Sequence, residues 1–100
     1  MKDIISAEEL KLKLKEHYII DVREPDEYIQ DHIEGAINIP LGKLIRDEPK
    51  GIVPRDKKIL LHCKSGLRGS MALEFLKNRG YSNIVNLEGG FDAWKIACSL

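Results

Sequence analysis

Short apolar segments alternate with helical patterns along this chain, and that alternation constrains the fold more than any other feature of the sequence. The segments are rich in isoleucine, leucine and valine and are too short to be helices. They cover residues 18–22, 36–40, 59–63 and 84–87. Strands that alternate with helices form a parallel sheet with both faces covered and with right-handed crossovers. The sequence therefore predicts an α/β fold with an open parallel sheet.

Local start and stop signals place the helices between these strands. Ser6 and Glu9 form a capping box at the start of the first helix, and Pro25 is at a position where prolines open helices. The first predicted helix starts at Ser6, and the others cover about 25–32, 71–80 and 91–98, with residues 65–70 as the turn that leads into the third. The connector 41–56 is predicted to be less regular, because it holds Pro49, Gly51 and Pro54.

Length and composition limit the chain to a few classes of protein. One hundred residues is a common size for one domain, so residues 1–100 are predicted to form a single domain. Leu, Ile, Val and Phe number thirty, which is well above the fraction of about 20% below which chains stay disordered. The net charge of zero argues against a general nucleic-acid binder, so no nucleic-acid partner is expected.

The N-terminal sequence and the cysteines bear on the cellular compartment. Three of the first nine residues are acidic, where a signal peptide needs an apolar stretch. No segment approaches the roughly 18 apolar residues of a membrane-spanning helix. Cys63 and Cys98 are the two cysteines, too few for a disulfide framework and without zinc-ligand spacing. We therefore expect a soluble cytoplasmic protein, with no membrane partner, whose cysteine chemistry is that of a thiol.

Cys63 is the strongest candidate for a reactive group. It lies at the carboxyl end of a predicted central strand, where open parallel sheets bind ligands, and a glycine-containing turn and a helix N-terminus follow it. Unpaired amides, the helix dipole and the charges of Lys64 and Arg68 favour the thiolate. The alternative is a small apolar side chain that caps a buried strand. The loop favours a nucleophile, because its amides can converge on one anion.

Four segments in sequence order carry a family resemblance. They read Asp-Val-Arg-Glu-Pro-x-Glu-Tyr at 21–28, His-Ile-x-Gly-Ala-x-Asn-Ile-Pro at 32–40, Cys-x-x-Gly-x-Arg at 63–68 and Leu-x-Gly-Gly-x-x-Ala-Trp at 87–94. The chain resembles the single-domain rhodaneses, which are thiosulfate sulfurtransferases. The resemblance implies a rhodanese-like, parallel five-stranded sheet flanked by helices on both faces. It also implies a persulfide on the loop cysteine, whose outer sulfur passes to a thiophilic acceptor.

The resemblance and the loop chemistry assign roles to the loop residues. Cys63 and Arg68 are the predicted catalytic residues. The predicted substrate-binding residues are Lys64, Ser65, Gly66, Leu67 and Gly69. The Cys63 thiolate is expected to attack the sulfane sulfur of thiosulfate and release sulfite, and the loop amides to stabilise the outer sulfur. This chemistry requires no metal or cofactor.

The expected partners follow from the same chemistry. The donor is a thiosulfate-like anion or another small sulfane-sulfur compound, and the acceptor is cyanide or a thiol. A thioredoxin-like or sulfur-carrier protein is a further candidate partner. Gly69 departs from the commonest family pattern, in which Ser or Ala follows the arginine, and Asp31 stands where a glycine is usual. We expect Gly69 to loosen the junction between loop and helix and to weaken the hold on the anion, with Ser70 as a substitute.

Two other functions are also compatible with the sequence. Related folds with a phosphatase-type loop place one residue more between cysteine and arginine. The shorter loop here gives a cradle about 0.6 Å smaller in radius, which suits one sulfur atom better than a phosphoryl group. The second alternative is a module that relays sulfur to, or only binds, a dedicated protein. Because both Cys63 and Arg68 are present, an inert module is disfavoured.

The remaining polar residues near the loop have structural interpretations. Adjacent residues on a strand point to opposite faces, so His62 is expected to be packed away from Cys63. Asp21 and Arg23 are expected to form an ion pair or to shape the rim of the pocket. Cys98 is expected to be a spectator, with a resolving thiol as the alternative.

Overall fold

A five-stranded parallel sheet forms the centre of the protein in this computed structural model, which describes residues 3–99. The strands are β1 (Ile4–Ile5), β2 (Tyr18–Asp21), β3 (Ile37–Asn38), β4 (Ile59–His62) and β5 (Ile84–Leu87). Their order across the sheet is β1-β5-β4-β2-β3, and every neighbouring pair is parallel. The strand β4 is therefore central, which confirms the prediction from its continuous apolar sequence.

Five helices connect and cover the strands. They are α1 (Ala7–Leu12), α2 (Pro25–Gln30), α3 (Leu41–Asp47), α4 (Leu67–Asn78) and α5 (Gly90–Cys98), with short 3₁₀ helices at Leu14–Glu16 and Glu48–Lys50. The Ser6 hydroxyl accepts a hydrogen bond of 3.1 Å from the Glu9 amide, as the first capping signal predicts. At the start of α2, Glu24 and Glu27 form a capping box and Pro25 is the first helical residue. No helix within residues 3–99 has the length and apolar character needed to span a lipid bilayer.

The apolar side chains form one cluster on each face of the sheet. Leu61 of β4 faces the cluster that includes Leu44 of α3 and Leu76 of α4. Leu60 faces the opposite cluster, which includes Leu10 of α1 and Phe91 of α5. Consecutive residues of the same strand thus feed the two clusters, as the pleat of a strand requires. The predicted α/β fold with helices on both faces is confirmed.

Two elements differ from the expectations drawn from sequence pattern. The connector 41–56 is not irregular throughout, because α3 begins after Pro40 and buries Leu44 completely. The strand β1 was not indicated by the pattern, which gave four strands, and it pairs with β5 through Ile4 and Ile5. Two residues are too few to show an alternating pattern, so the fifth strand was implied by the family resemblance alone.

Candidate active site

Cys63 directly follows the central strand and lies at the carboxyl edge of the sheet. The residue is buried and only 1% exposed. The chain then turns over residues 64–66 and enters α4 at Leu67. This is the position at which open parallel sheets bind ligands, because the loops after adjacent strands enclose a crevice there.

The sulfur of Cys63 accepts two hydrogen bonds from the backbone of its own loop. The amide of Gly66 lies 3.1 Å from Sγ, and the amide of Gly69 lies 3.2 Å from it. Gly66 has a φ of 120°, a conformation that residues with a side chain rarely adopt. Amide donors aimed at one atom stabilise negative charge on it. The loop therefore forms a cradle for an anionic sulfur.

Arg68 is held by a carboxylate from another helix. Its guanidinium makes two parallel contacts with Glu27 of α2, at 2.7 Å from Nη1 to Oε1 and 3.1 Å from Nη2 to Oε2. This ion pair lowers the pKa of Glu27 from 4.5 to about 2 and raises the pKa of Arg68. The Glu27 carboxylate also accepts a hydrogen bond from the Glu24 amide at 2.9 Å. Arg68 is thus oriented from α2 before any ligand arrives.

Glu27 is a site residue whose role no local sequence motif predicts. It is 41 positions from Arg68 along the chain, so no local pattern joins the two residues. It does belong to the segment 21–28 that carries part of the family resemblance. The sequence offered two signals for this contact: a carboxylate in that segment, and an arginine in the loop to which no partner had been assigned.

Lys64 is also paired with a carboxylate. Its ammonium lies 3.1 Å from both carboxylate oxygens of Asp92, in the first turn of α5. Both side chains are largely exposed, so the pair is weak and can exchange with solvent ions. The side chains of Ser65 and Leu67 are exposed on the same loop. Of the predicted substrate-binding residues, Gly66 and Gly69 contact the sulfur through their amides.

The N-terminus of α5 closes the back of the loop. The amides of Phe91 and Asp92 donate to the carbonyls of Cys63 and Lys64, at 2.7 and 3.0 Å. A Cβ atom on Gly90 would lie 2.6 Å from each of these two carbonyl oxygens. A glycine is therefore required at position 90 for α5 to approach the loop this closely.

The surroundings of Gly69 bear on the expectation that this residue loosens the junction between loop and helix. The glycine is buried, and the side chain of Asn86 from β5 occupies the space beside it. The hydroxyl of Ser70 donates to the Gly66 carbonyl at 2.9 Å and accepts from the Asn86 amide at 3.2 Å. Ser70 thus supports the loop backbone instead of supplying a hydroxyl to the sulfur.

A buried polar cluster lies beneath the loop on the other face of β4. His62 is fully buried, with its Nε2 3.7 Å from Asp21 Oδ2, and burial lowers its pKa. Asp21 and Arg23 form a buried ion pair at 2.7 Å, and the Arg23 guanidinium lies 4.4 Å from the centre of the Phe91 ring. This arrangement agrees with a packed histidine and a structural ion pair. Cys98 is exposed at the end of α5.

Comparison with known proteins identifies relatives of this fold and site. The sequence pattern of the rhodanese-like domain matches residues 6–97. The thiosulfate sulfurtransferase PspE from Escherichia coli is 35% identical over 74 residues, which cover 74% of this chain and 70% of PspE. The probable adenylyltransferase/sulfurtransferase MoeZ from Mycobacterium tuberculosis is 41% identical over 76 residues, but these cover only 19% of its length.

A solved structure agrees with the same assignment. The rhodanese-related protein from Thermoplasma volcanium superimposes with a TM-score of 0.86 at 41% sequence identity, covering 96% of this chain and 92% of that one. The matched region includes the segments on which the resemblance rests, from Asp21 to Trp94. The chain belongs to the rhodanese-like domain family.

Proposed function

We propose that the protein is a sulfurtransferase that carries sulfane sulfur as a persulfide on Cys63. The observation that carries this proposal is the pair of amide hydrogen bonds, from Gly66 and Gly69, to the Cys63 sulfur. Relatives named as sulfurtransferases, PspE among them, support sulfur transfer as the class of reaction.

Thiosulfate is the proposed small-molecule donor for the first half-reaction. The Cys63 thiolate attacks the outer sulfur of thiosulfate, and a new S–S bond forms to Sγ. The bond between the two sulfur atoms of thiosulfate breaks, and its electron pair leaves with sulfite. The product is Cys63–S–S⁻, and the charge of the outer sulfur is stabilised by loop amides, as an oxyanion hole stabilises oxygen.

An acceptor nucleophile completes the cycle. Cyanide or a thiolate attacks the outer sulfur, and the electron pair of the persulfide bond returns to Cys63 as a thiolate. The products are thiocyanate from cyanide, or a new persulfide from a thiol. A thioredoxin-like or sulfur-carrier protein is the proposed macromolecular acceptor, because such partners present a nucleophilic thiol or an equivalent terminal group.

Arg68 is the proposed second catalytic residue. Its guanidinium follows the sulfur-binding loop and already holds two contacts to Glu27, so it offers its remaining donors to an anion at the cradle. Lys64 is proposed to attract the anion at the mouth of the site. Because Asp92 offsets the charge of Lys64, we expect this attraction to be modest.

Intact-mass measurement tests the proposal directly. After incubation with thiosulfate, the wild-type protein is expected to gain the mass of one sulfur atom, and cyanide is expected to remove it. Cys63→Ser should gain no sulfur, since a hydroxyl does not form a persulfide. Cys98→Ser is the matched control, because Cys98 is exposed at the end of α5, and it should behave as wild type. A stable sulfur adduct on Cys63→Ser would refute the assignment.

The alternative enzymatic activity is that of a phosphatase, and the length of the loop argues against it. Four residues separate Cys63 from Arg68, one fewer than in phosphatase-type loops. Hydrolysis of an aryl phosphate at a rate above that of Cys63→Ser, without sulfur loading from thiosulfate, would favour the alternative.

A further inference from the structure

Asn86 is a buried polar residue that lies against the sulfur-binding loop without touching the sulfur. It belongs to β5, next to the central strand, and is 3% exposed. Its side-chain amide donates to the Gly66 carbonyl at 3.3 Å and to the Ser70 hydroxyl at 3.2 Å. The same carbonyl also accepts from the amide and the hydroxyl of Ser70, each at 2.9 Å. Asn86 thereby links the strand to both sides of the turn that begins α4.

The residues that Asn86 supports are those that hold the sulfur. Gly66 donates its amide to Cys63 Sγ, and its carbonyl is fixed by Asn86. Gly66 is a glycine at a φ of 120°, so its own side chain cannot restrict the orientation of its amide. The hydrogen bond from Asn86 supplies that restriction from outside the loop.

Asn86 also determines which residue is tolerated at position 69. A Cβ atom on Gly69 would overlap Asn86 Oδ1 and lie 3.0 Å from Asn86 Cγ. The backbone of Gly69 lies outside the left-handed region, so Asn86 excludes a side chain there and the local conformation does not. The amide of Gly69 is the second donor to the Cys63 sulfur. The two residues therefore share one space directly behind the cradle.

The carbonyl oxygen of Asn86 is buried at a cost in stability. Within residues 3–99, Oδ1 is buried and has no hydrogen-bond partner. Buried polar atoms without partners destabilise a fold and are rare, so each one calls for an explanation. An apolar residue would avoid this cost but would lose the hydrogen bonds to Gly66 and Ser70.

We propose that Asn86 is a positioning residue that fixes the sulfur-binding amides of Gly66 and Gly69 and fills the space left by the absent side chain at position 69. This proposal rests on the sulfur-carrying role of Cys63. It explains why a glycine follows Arg68 here, where the family more commonly has serine or alanine. It also implies that positions 69 and 86 cannot be changed independently.

A double-mutant cycle tests the proposal, in a Cys98→Ser background so that Cys63 is the one thiol. The variants are Asn86→Ala, Gly69→Ala and the two combined. Gly42→Ala is the matched control for adding a methyl group, because a Cβ at Gly42 in α3 has no atom within 4 Å. The first readout is the rate of persulfide formation from thiosulfate. The second is the pH profile of Cys63 alkylation by iodoacetamide, and thermal unfolding is measured on the same samples.

Asn86→Ala is expected to slow persulfide formation about tenfold, since small misplacements of catalytic groups have effects of this size or larger. The alkylation profile should move to higher pH, because the amides no longer stabilise the thiolate. The charged neighbours Lys64 and Arg68 are the same in every variant. The melting temperature should change by less than about 5 °C, since the substitution removes an unpartnered buried oxygen together with two hydrogen bonds.

Gly69→Ala alone is expected to slow the reaction at least as much, because its methyl group displaces Asn86. The double variant should react within about twofold of Asn86→Ala, because the space for the methyl group is then free. Multiplied effects in the double variant, or a wild-type rate and alkylation profile for Asn86→Ala, would overturn the proposal. If Asn86→Ala does not fold, the smaller change Asn86→Ser takes its place in the cycle. Alkylation does not depend on sulfur transfer, so it tests Asn86 even if thiosulfate proves not to be a donor.

Discussion

The ion pair between Glu27 and Arg68 leads us to predict that the free energy of unfolding depends on pH through Glu27. Replacing Glu27 with glutamine removes the negative charge but keeps the shape of the side chain. The pKa of Glu27 falls from 4.5 to about 2 in the folded protein. At about 1.4 kcal/mol for each tenfold change in proton affinity, this corresponds to about 3 kcal/mol.

The expected loss of stability is smaller than that figure, because solvent reaches the pair. The side chains of Arg68 and Glu27 are 31% and 28% exposed, so the ion pair is neither fully buried nor fully at the surface. Surface pairs contribute less than about 1 kcal/mol. We therefore expect Glu27→Gln to lower the free energy of unfolding by about 1–2 kcal/mol at pH 7.

The pH dependence has a defined sign. A carboxylate with a lowered pKa stabilises the folded state at pH values above about 4.5, and the stabilisation is lost as the pH falls towards about 2. The difference between wild type and Glu27→Gln should therefore shrink between pH 5 and pH 3. Urea unfolding at pH 7, 5, 4 and 3 measures it, and Glu74→Gln, at an exposed position on α4, is the control. Equal stability at pH 7, or a difference that is the same at pH 3, would refute this account of the pair.

Further predictions concern the loop and its support. Lys64→Ala should raise the KM for thiosulfate no more than about fivefold and leave kcat nearly unchanged, because the exposed charge of Lys64 attracts an anion only weakly. Arg68→Lys should lower kcat/KM for thiosulfate by about 10–100-fold in steady-state thiosulfate:cyanide turnover, because a lysine cannot reproduce the paired contacts of a guanidinium. Gly90→Ala should lower the melting temperature by about 5–15 °C, since its methyl group meets two carbonyl oxygens. One glycine inserted between Gly66 and Leu67 should reduce sulfur transfer in a folded protein, and undiminished transfer would show that the size of the cradle does not select the substrate.

Much of the sheet was predictable because its strands carry strong local signals. The central strand β4 has apolar residues on both faces, and only buried parallel strands require this. The strand β1 has two residues and carries no such signal, since its place is fixed by pairing with β5. The sequence pattern does not predict α3, because prolines and glycines lie around it, although Leu44 anchors the helix in the core.

The site was predictable to the extent that it is local in sequence. Cys63, the turn and Arg68 lie within six consecutive residues, so the pattern that predicts a site is visible in the sequence. Glu27 and Asn86 come from other elements, and their contacts depend on the packing of α2 and β5 against the loop. The neighbour of Gly69 could not be predicted for the same reason, because Asn86, which fills the space beside it, is distant in sequence.

The contact between α5 and the loop bears on when the cradle around Cys63 is assembled during synthesis. The carbonyls of Cys63 and Lys64 are held by amides of residues 91 and 92, and Gly66 is held by residue 86. Those residues are translated more than twenty positions after Cys63. A nascent chain that has exposed only the central strand and the turn therefore has the cysteine but not the groups that orient its cradle. If Cys63 carries sulfur as proposed, the cradle that stabilises this sulfur is complete only after the C-terminal part of the sheet has folded.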